Sequence, residues 1–313
     1  MRPRDRQNAQ RFTAGLLAFS RRERELPGIR NPANRRSFVE QLLESMRRVR
    51  YVSVIQERQL SSARANPRDE LFDPLKASIL HRMAGRLDEA FWLVFLFVHF
   101  GRHPRAGWRY ARDVYGRLGG PGRWDWASVI RDPARFRAWL KEHLDELRRG
   151  GLPRGFGNHR KYQSLDPYSS SGTGAAVEGY VEWVDPPRTH PELMELACNQ
   201  AAGDSRRAFH TLYQSMAAVP SFGRTARFDY FTMIGKLGLA AIEPGLAYLQ
   251  GSTGPLRGAH LLFGGDSTAP ISPTDLDSWL VELDARLNVG MQVLEDSLCN
   301  WQKSPQRFRP FRG

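Results

Sequence analysis

Four carboxylates stand at positions where they could accept a proton during a group-transfer reaction. Asp229 and Glu243 follow the segment VPSFGRTA at residues 219–226, and Glu295 and Asp296 are neighbours in VLEDSLC. An amine nucleophile must lose a proton as it attacks, and a positioned carboxylate is a suitable acceptor. Each of the four acids also has an ordinary alternative as a helix-surface residue in an ion pair.

Two segments combine positive charge with glycine, as phosphate-binding segments do. They are FGNHRKY at residues 156–162 and GSTGPLRG at residues 251–258. Neither ends in the Gly-Lys-Ser/Thr of a nucleotide P-loop, so we expect no ATP hydrolysis. The histidines of the chain lack metal-ligand spacing, so we expect no metal, and we expect no cofactor. The alternative for the charged residues is a solvated charge run. The candidate DNA-binding or phosphate-binding residues are Asn158, His159, Arg160, Lys161, Tyr162, Gly254, Arg257 and Gly258.

The segment VPSFGRTA resembles the turn of a helix-hairpin-helix element. It carries Pro220, Phe222 and Gly223 in the expected order, whereas Ser221 replaces the usual first glycine. A glycine before a helix lets backbone amides approach a phosphate closely. An ordinary inter-helix turn is the alternative. This element adds further DNA-binding candidates, namely Gly223, Arg224, Thr225, Arg227 and Lys236.

Helical periodicity recurs along most of the chain and predicts a mainly α, two-lobed fold. Residues 88–100 are apolar almost all round and predict a buried helix. Capping-box patterns at Ser37 and Thr274 predict two helix starts. Other predicted helices cover residues 107–118, 133–149 and 190–202, a segment ending near residue 218, and residues 227–237.

Residues 150–187 form a Gly-, Ser- and Pro-rich stretch without a sustained period. Long irregular segments in compact proteins are often functional. Within it, Val177–Val184 is the best strand candidate. We therefore expect three parts, which are a basic N-terminal arm and helix at residues 1–68, a helical lobe with this loop at 69–187, and the hairpin-containing lobe at 188–313.

Positive charge is concentrated at the N-terminal end. Residues 1–68 contain 16 arginines, no lysine and 6 acidic residues, a net charge of +10 out of +13 for the chain. Such a surface attracts DNA phosphates with little sequence preference. The alternative is a solubilising face in an arginine-rich protein.

Membrane and disulfide-rich classes are disfavoured. The longest apolar run, Ala90–Val98, has nine residues, whereas a membrane-spanning helix needs about 20. The N-terminal residues lack the apolar stretch of a secretory signal. Cys198 and Cys299 are too few for a disulfide framework. We expect no membrane association and a cytoplasmic location.

Four motifs together resemble the α-glutamyl/putrescinyl thymine pyrophosphorylase family, which is related to helix-hairpin-helix DNA glycosylases. They are FGNHRKY, RFDYFTMIGKLGL, GSTGPLRGA and VLEDSLCNWQK, and the likeness covers about residues 90–303. Glycosylases hold an acid about twenty residues after the hairpin glycine, where this chain has Glu243. Thr225 stands where lyase-type members carry lysine, which argues against Schiff-base strand cleavage.

The resemblance implies a DNA hypermodification enzyme of phages and their relatives. In the implied reaction an amino acid or polyamine displaces pyrophosphate from activated 5-hydroxymethyluracil, after the base has left the stack of double-stranded DNA. The implied partners are DNA and a small amine donor. Two alternatives stay open, an N-glycosylase using Glu243 or Asp229 and a non-catalytic DNA-binding protein.

Overall fold

A computed structural model describes residues 3–149 and 155–311. Within these ranges the regular structure is helical, with two isolated β-bridges and no strand, which confirms the mainly α prediction. No helix in the described ranges is long and apolar enough to cross a membrane. The α-helices are α1 (Pro3–Arg22), α2 (Pro32–Gln56), α3 (Pro74–Met83), α4 (Leu87–Phe100), α5 (Arg109–Tyr115), α6 (Trp126–Arg131), α7 (Pro133–Glu142), α8 (Leu144–Arg149), α9 (Thr173–Val184), α10 (His190–Gln200), α11 (Ser205–Ser215), α12 (Arg224–Lys236), α13 (Gly254–Gly264), α14 (Pro273–Leu287) and α15 (Met291–Trp301).

The chain forms two compact units. Unit 1 combines Met1–Val54 with Pro244–Arg312, and unit 2 is formed by Ile55–Glu243. These units do not coincide with the divisions expected at residues 68 and 187. The N-terminal and C-terminal segments share the core of unit 1. The composition of each segment does not show that the two pack together.

The core of unit 1 includes the basic N-terminal segment. Helix α1 places Phe12, Leu16 and Phe19 on one face, where all three are fully buried in the same cluster as Leu280 and Leu283 of α14. Fully burying such a side chain contributes roughly 1.5–3 kcal/mol. Residues 3–54 therefore contribute to a folded core, with the charge on its outside. The exposed arginines on this segment are Arg6, Arg11, Arg21, Arg22, Arg30, Arg36, Arg47 and Arg50.

Unit 2 is organised around α4. Ten of the 14 residues of α4 are buried, which confirms the prediction of a buried helix there. Helices α3, α5, α6, α10 and α12 pack on it. The Trp92 indole donates to the carbonyl of Trp124 at 2.8 Å, so even its polar edge is satisfied inside the core.

Several predicted boundaries were wrong for identifiable reasons. Ser37 lies inside α2 and is buried, because the helix already begins at Pro32, a residue suited to a first turn. Helix α14 is capped by Ser272, two residues before Thr274. Residues 177–184 are helical within α9 instead of forming a strand.

Two other predicted segments are interrupted or shortened. The helix expected at residues 133–149 divides into α7 and α8 at His143. Only α5 is α-helical within residues 107–118. Of the irregular segment expected at 150–187, residues 150–154 lie outside the described residues, and its last third contains α9.

Helices α13 and α15 of unit 1 approach closely at two glycines. A Cβ atom on Gly258 would lie 2.3 Å from the carbonyl oxygen of Leu298, and one on Gly254 would lie 2.6 Å from the sulfur of Cys299. Both distances are shorter than van der Waals contact. The spacing of four residues puts both glycines on the same face of α13. Close helix packing therefore accounts for them.

Replacing Gly258 with alanine is expected to destabilise unit 1, because the new methyl group would overlap the Leu298 carbonyl. A backbone carbonyl cannot move away as the end of a flexible side chain can. Overpacking of this kind costs roughly 1–3 kcal/mol. The exposed neighbour Arg257 on the same helix provides the control, since Arg257→Ala should stay within about 0.5 kcal/mol of the parent protein. The measurement is the denaturant midpoint of each variant. Equal midpoints would contradict the packing role.

Candidate functional site

The segment FGNHRKY packs against the C-terminal end of α4. The backbone N–H of Gly157 donates to the carbonyl of Phe100 at 2.8 Å. A Cβ atom on Gly157 would lie 2.8 Å from the backbone nitrogen of Arg102, so glycine is what permits this approach. A 3₁₀ turn over Asn158–Arg160 follows. The turn directs the Arg160 side chain into unit 2.

Arg160 is a buried cation with two defined acceptors. Its Nε donates to the carbonyl of Val98 at 2.8 Å, and its Nη2 donates to Oδ2 of Asp229 at 3.1 Å. The Arg160 side chain is 8% exposed, whereas that of Asp229 is 44% exposed. Burial lowers the pKa of Arg160 and the Asp229 carboxylate opposes that shift, so the guanidinium stays charged.

His99 lies beside this pair and joins three elements. Its Nε2 is 2.9 Å from Oγ1 of Thr173, and the Thr173 hydroxyl donates to the carbonyl of Ser164 at 2.9 Å. The imidazole Nε2 is therefore the donor to Thr173. The rings of Phe95 and Phe222 stack with His99 at 5.7 Å and 6.3 Å between centroids. Burial, with a smaller contribution from Arg160, lowers the pKa of His99 to about 3.

A buried hydrogen-bond chain fixes α12, the helix of Asp229. His190 Nδ1 donates to Asp88 at 2.6 Å, Tyr180 donates to His190 Nε2 at 2.7 Å, and the Tyr230 hydroxyl is 2.8 Å from that of Tyr180. Because Asp88 only accepts and Tyr180 donates to His190, Tyr230 is the donor in the last bond. Burial lowers the pKa of His190 despite the opposing effect of Asp88. The chain joins α4, α9, α10 and α12.

The hairpin-like turn between α11 and α12 is close-packed against α9. Ser221 has φ of 63°, a conformation that favours glycine, and its hydroxyl donates to the carbonyl of Ser171 at 2.5 Å. A Cβ atom on Gly179 of α9 would lie 2.4 Å from Pro220. The missing first glycine thus does not prevent the turn from forming.

The predicted contacts on this element differ in accessibility. Gly223 and Thr225 are exposed, whereas Arg224 is buried over the ring of Phe228 at 4.8 Å. Arg227 donates to the carbonyl of Tyr213 at 3.0 Å and so links α12 to α11. Lys236 is half-buried near the end of α12. Gly223 and Thr225 are therefore the best placed of this group to meet a ligand.

The other predicted acids lie in different surroundings. Glu243 pairs with Arg206 at 2.9 Å, and both side chains are more than half exposed. Asp296 belongs to unit 1, where it pairs with Arg48 and accepts from Asn300 at 3.1 Å. Glu295 is half-buried on α15. Of the four acids, Asp229 is the one held by a buried cation.

The candidate phosphate-binding residues divide between the two units. Asn158, His159, Lys161 and Tyr162 are exposed in unit 2, beside the buried Arg160. Gly254 and Gly258 face α15 in unit 1, and Arg257 is exposed on α13.

Sequence reasoning identified Asp229 but missed the other groups around Arg160. Val98 contributes only its backbone carbonyl, and every residue type has one, so the sequence cannot show which carbonyl accepts from Arg160. His99 and Thr173 lie 74 positions apart. Gly101, with φ of 62°, ends α4 and is the one local signal that the chain turns here. Within the described ranges, no three His, Cys, Asp or Glu side chains form a metal-binding group.

The model of the alpha-glutamyl/putrescinyl thymine pyrophosphorylase family, clade 3, matches residues 33–313. The chain belongs to this family. No curated protein and no solved structure matches it. Membership identifies an enzyme of thymine hypermodification, whose substrate is DNA. The likeness expected over residues 90–303 was too short, since the match includes about half of the basic N-terminal segment. Arg160 and Asp229 both lie within the matched residues 33–313.

Acidification is expected to destabilise unit 2, because His99 is buried in its neutral form. Its pKa falls from 6.5 to about 3 on folding. The unfolded chain therefore binds this proton from about pH 6.5 downward, while the folded chain does not until about pH 3. Stability is complete above this window and falls by up to about 1.4 kcal/mol per pH unit within it.

Denaturant unfolding at about pH 7 and about pH 5 measures this loss. His99→Gln, which keeps an N–H donor without a titrating ring, should show a smaller loss than the parent protein. His81, whose pKa burial lowers to about 4, contributes the same sign in both proteins and cancels in the comparison. An identical pH dependence in the two proteins would contradict the assignment.

Proposed function

We propose that the protein transfers an amine to the 5-methylene carbon of activated 5-hydroxymethyluracil in DNA, with pyrophosphate as the leaving group. The observation that carries the proposal is the Arg160–Asp229 pair, which places a half-exposed carboxylate on a buried cation within the matched region. The family description supports pyrophosphate chemistry at thymine.

The reaction balances without an oxidant or reductant. The amine nitrogen forms a bond to the methylene carbon, and the bond from that carbon to the pyrophosphate oxygen breaks. Pyrophosphate leaves with the bonding electrons. The nitrogen then carries one proton too many, which a base must accept. Negative charge grows on the leaving group, so cations or backbone amides near it accelerate the step.

In this scheme Asp229 accepts the proton from the amine. The contact with Arg160 engages Oδ2, and no donor in the described part of the chain contacts Oδ1. Oδ1 can therefore face the incoming amine. Arg160 is a positioning residue, because its Nε and Nη2 are committed to Val98 and Asp229. General-base catalysis of this kind contributes roughly 10²–10⁴-fold.

The remaining candidates supply contacts to DNA phosphate and to the leaving group. Lys161 follows Arg160 directly and is exposed. Gly223 and Thr225 begin α12, where backbone N–H groups and the helix dipole favour an anion. On unit 1, the exposed arginines of residues 5–54 supply nonspecific attraction to double-stranded DNA.

The direct test is incubation of hydroxymethyluracil DNA with the protein, ATP, a kinase that pyrophosphorylates the base in DNA, and glutamate or putrescine. Nucleosides are then analysed by mass spectrometry, and pyrophosphate is assayed in parallel. The proposal predicts an amine adduct and equimolar pyrophosphate. Abasic sites would support the N-glycosylase alternative, and unchanged DNA that is still bound would support a non-catalytic DNA-binding protein.

Asp229→Asn is expected to slow single-turnover adduct formation by roughly 10²–10⁴-fold, because the amide cannot accept the proton. DNA affinity should change little, since the amide keeps the size of the carboxylate. Rapid-quench measurement under enzyme excess gives the rate of the chemical step without product release.

Glu243→Gln is the matched control for that variant. Its partner Arg206 and its own side chain are both largely solvent-exposed, so its rate should stay within about threefold of the parent rate. Near-normal rates in both variants would reject Asp229 as the base and move the role to Glu295 or Asp296.

Gly223→Val tests the hairpin assignment. A Cβ atom at Gly223 meets no atom within 4 Å, and its φ of −67° suits any residue, so the variant should fold normally. The branched side chain would block phosphate from the amides of α12 and weaken DNA binding by about tenfold. Fluorescence anisotropy and thermal unfolding measure the two effects. Unchanged affinity in a folded variant would contradict the phosphate contact.

A further inference from the structure

Tyr162 is the most exposed large hydrophobic side chain in the described part of the chain. It is 89% exposed, whereas Tyr51 and Tyr168 are 54% and 58% exposed. The neighbouring Lys161 contacts this ring, with its Nζ 4.9 Å from the ring centroid. Because so little of this ring is removed from water, it contributes almost no hydrophobic stabilisation to the fold. It is available to a partner that offers a flat apolar face.

The backbone that carries Tyr162 is held on a fixed base. Arg160 N–H donates to the carbonyl of Gly157 at 2.8 Å, and Gln163 N–H donates to the carbonyl of Arg160 at 2.9 Å. Tyr162 therefore sits within a tight turn, two residues after the guanidinium that holds Asp229. A ring anchored in this way can push into a ligand without the loop yielding.

A neighbouring loop adds two cations. Backbone bonds of 3.0 Å and 2.9 Å between His103 and Gly107 close this loop, and a Cβ atom on Gly155 would lie 2.7 Å from the His103 ring. Arg105 on this loop and Arg102 directly before it are exposed, and neither is ion-paired in the described ranges. The loop is thus packed directly on the segment that leads to Tyr162.

We propose that Tyr162 enters the base stack of double-stranded DNA beside the target base and fills the space left when that base flips out. Arg102, Arg105 and Lys161 hold the flanking phosphates. This inference rests on the proposed function, since a methylene inside a duplex is reached only after the base leaves the stack. Stacking on an aromatic ring offsets part of the unstacking cost and tolerates any sequence.

The first test compares Tyr162→Ala with Tyr162→Phe on two substrates, one fully paired and one with the target base in an unpaired bubble. Tyr162→Ala should slow single-turnover modification of the paired substrate by about 10- to 100-fold, the range expected when one base–aromatic stack is lost. The bubble substrate should lose less than about threefold, because its base is already unstacked. Tyr162→Phe should behave as the parent, and Tyr51→Ala of unit 1 is the control for loss of an exposed tyrosine.

The second test needs no catalysis and so separates the two proposals. A 2-aminopurine that replaces the target base fluoresces when it leaves the base stack. Binding of the parent protein should raise the fluorescence, and Tyr162→Ala should abolish the rise while Tyr51→Ala keeps it. An equal rise with Tyr162→Ala, or equal rate losses on paired and bubble substrates, would overturn the stacking role. A fluorescence result that fits, together with no amine adduct from the parent protein, would reject the transfer reaction and leave the DNA contact standing.

Discussion

A buried guanidinium is the constraint on which the arrangement of unit 2 depends. A charge removed from water is costly unless it is paired and hydrogen-bonded. Arg160 meets that requirement with one carbonyl at the end of α4 and one carboxylate on α12. The last four carbonyls of a helix lack partners within the helix and carry partial negative charge, so Val98 is a natural acceptor. Satisfying one cation therefore fixes a loop and two helices relative to each other.

The surroundings of this pair limit how far it can move. His99 bonds Thr173 at the start of α9, and Phe222 of the hairpin-like turn stacks on the same imidazole. Next to Asp229 on α12, Tyr230 ends a hydrogen-bond chain that reaches Asp88. In the proposed reaction, a base positioned by such contacts needs little reorganisation when its substrate arrives. The rigidity of the interior contrasts with the exposure of Tyr162, which leaves one ring free for a partner.

Helical spacing predicted the elements whose faces are plainly apolar, but not their exact ends. Helix α4 could be found because its apolar run leaves no polar face. The strand assignment at Val177–Val184 gave too much weight to β-branched residues, although Val177, Tyr180, Val181 and Val184 repeat at helical intervals and all are buried. The helix start at Ser37 failed because a capping pattern is short and also occurs inside helices.

The site was predictable only in part. Asp229 and Arg160 were both candidates from sequence, but 69 residues separate them, and no local pattern shows that they meet. Gly254 and Gly258 resembled a phosphate-binding loop because they are close to Arg257 in sequence. In the structure, these glycines instead allow α13 to pack closely against α15, about forty positions away. The four family motifs indicated thymine hypermodification, because they are spread over a long stretch of the sequence. Tertiary contacts decided which charged residues are buried and which remain accessible.

A double-mutant cycle on Arg160 and Asp229 tests most directly whether the two residues act as one unit. Single-turnover rates are measured for Arg160→Met, Asp229→Asn and the double variant, with unfolding midpoints confirming that each is folded. If Arg160 acts by positioning Asp229, the double variant should be no slower than the slower single variant, as expected for residues of one catalytic unit. Rate losses that multiply in the double variant would show independent roles and contradict the account.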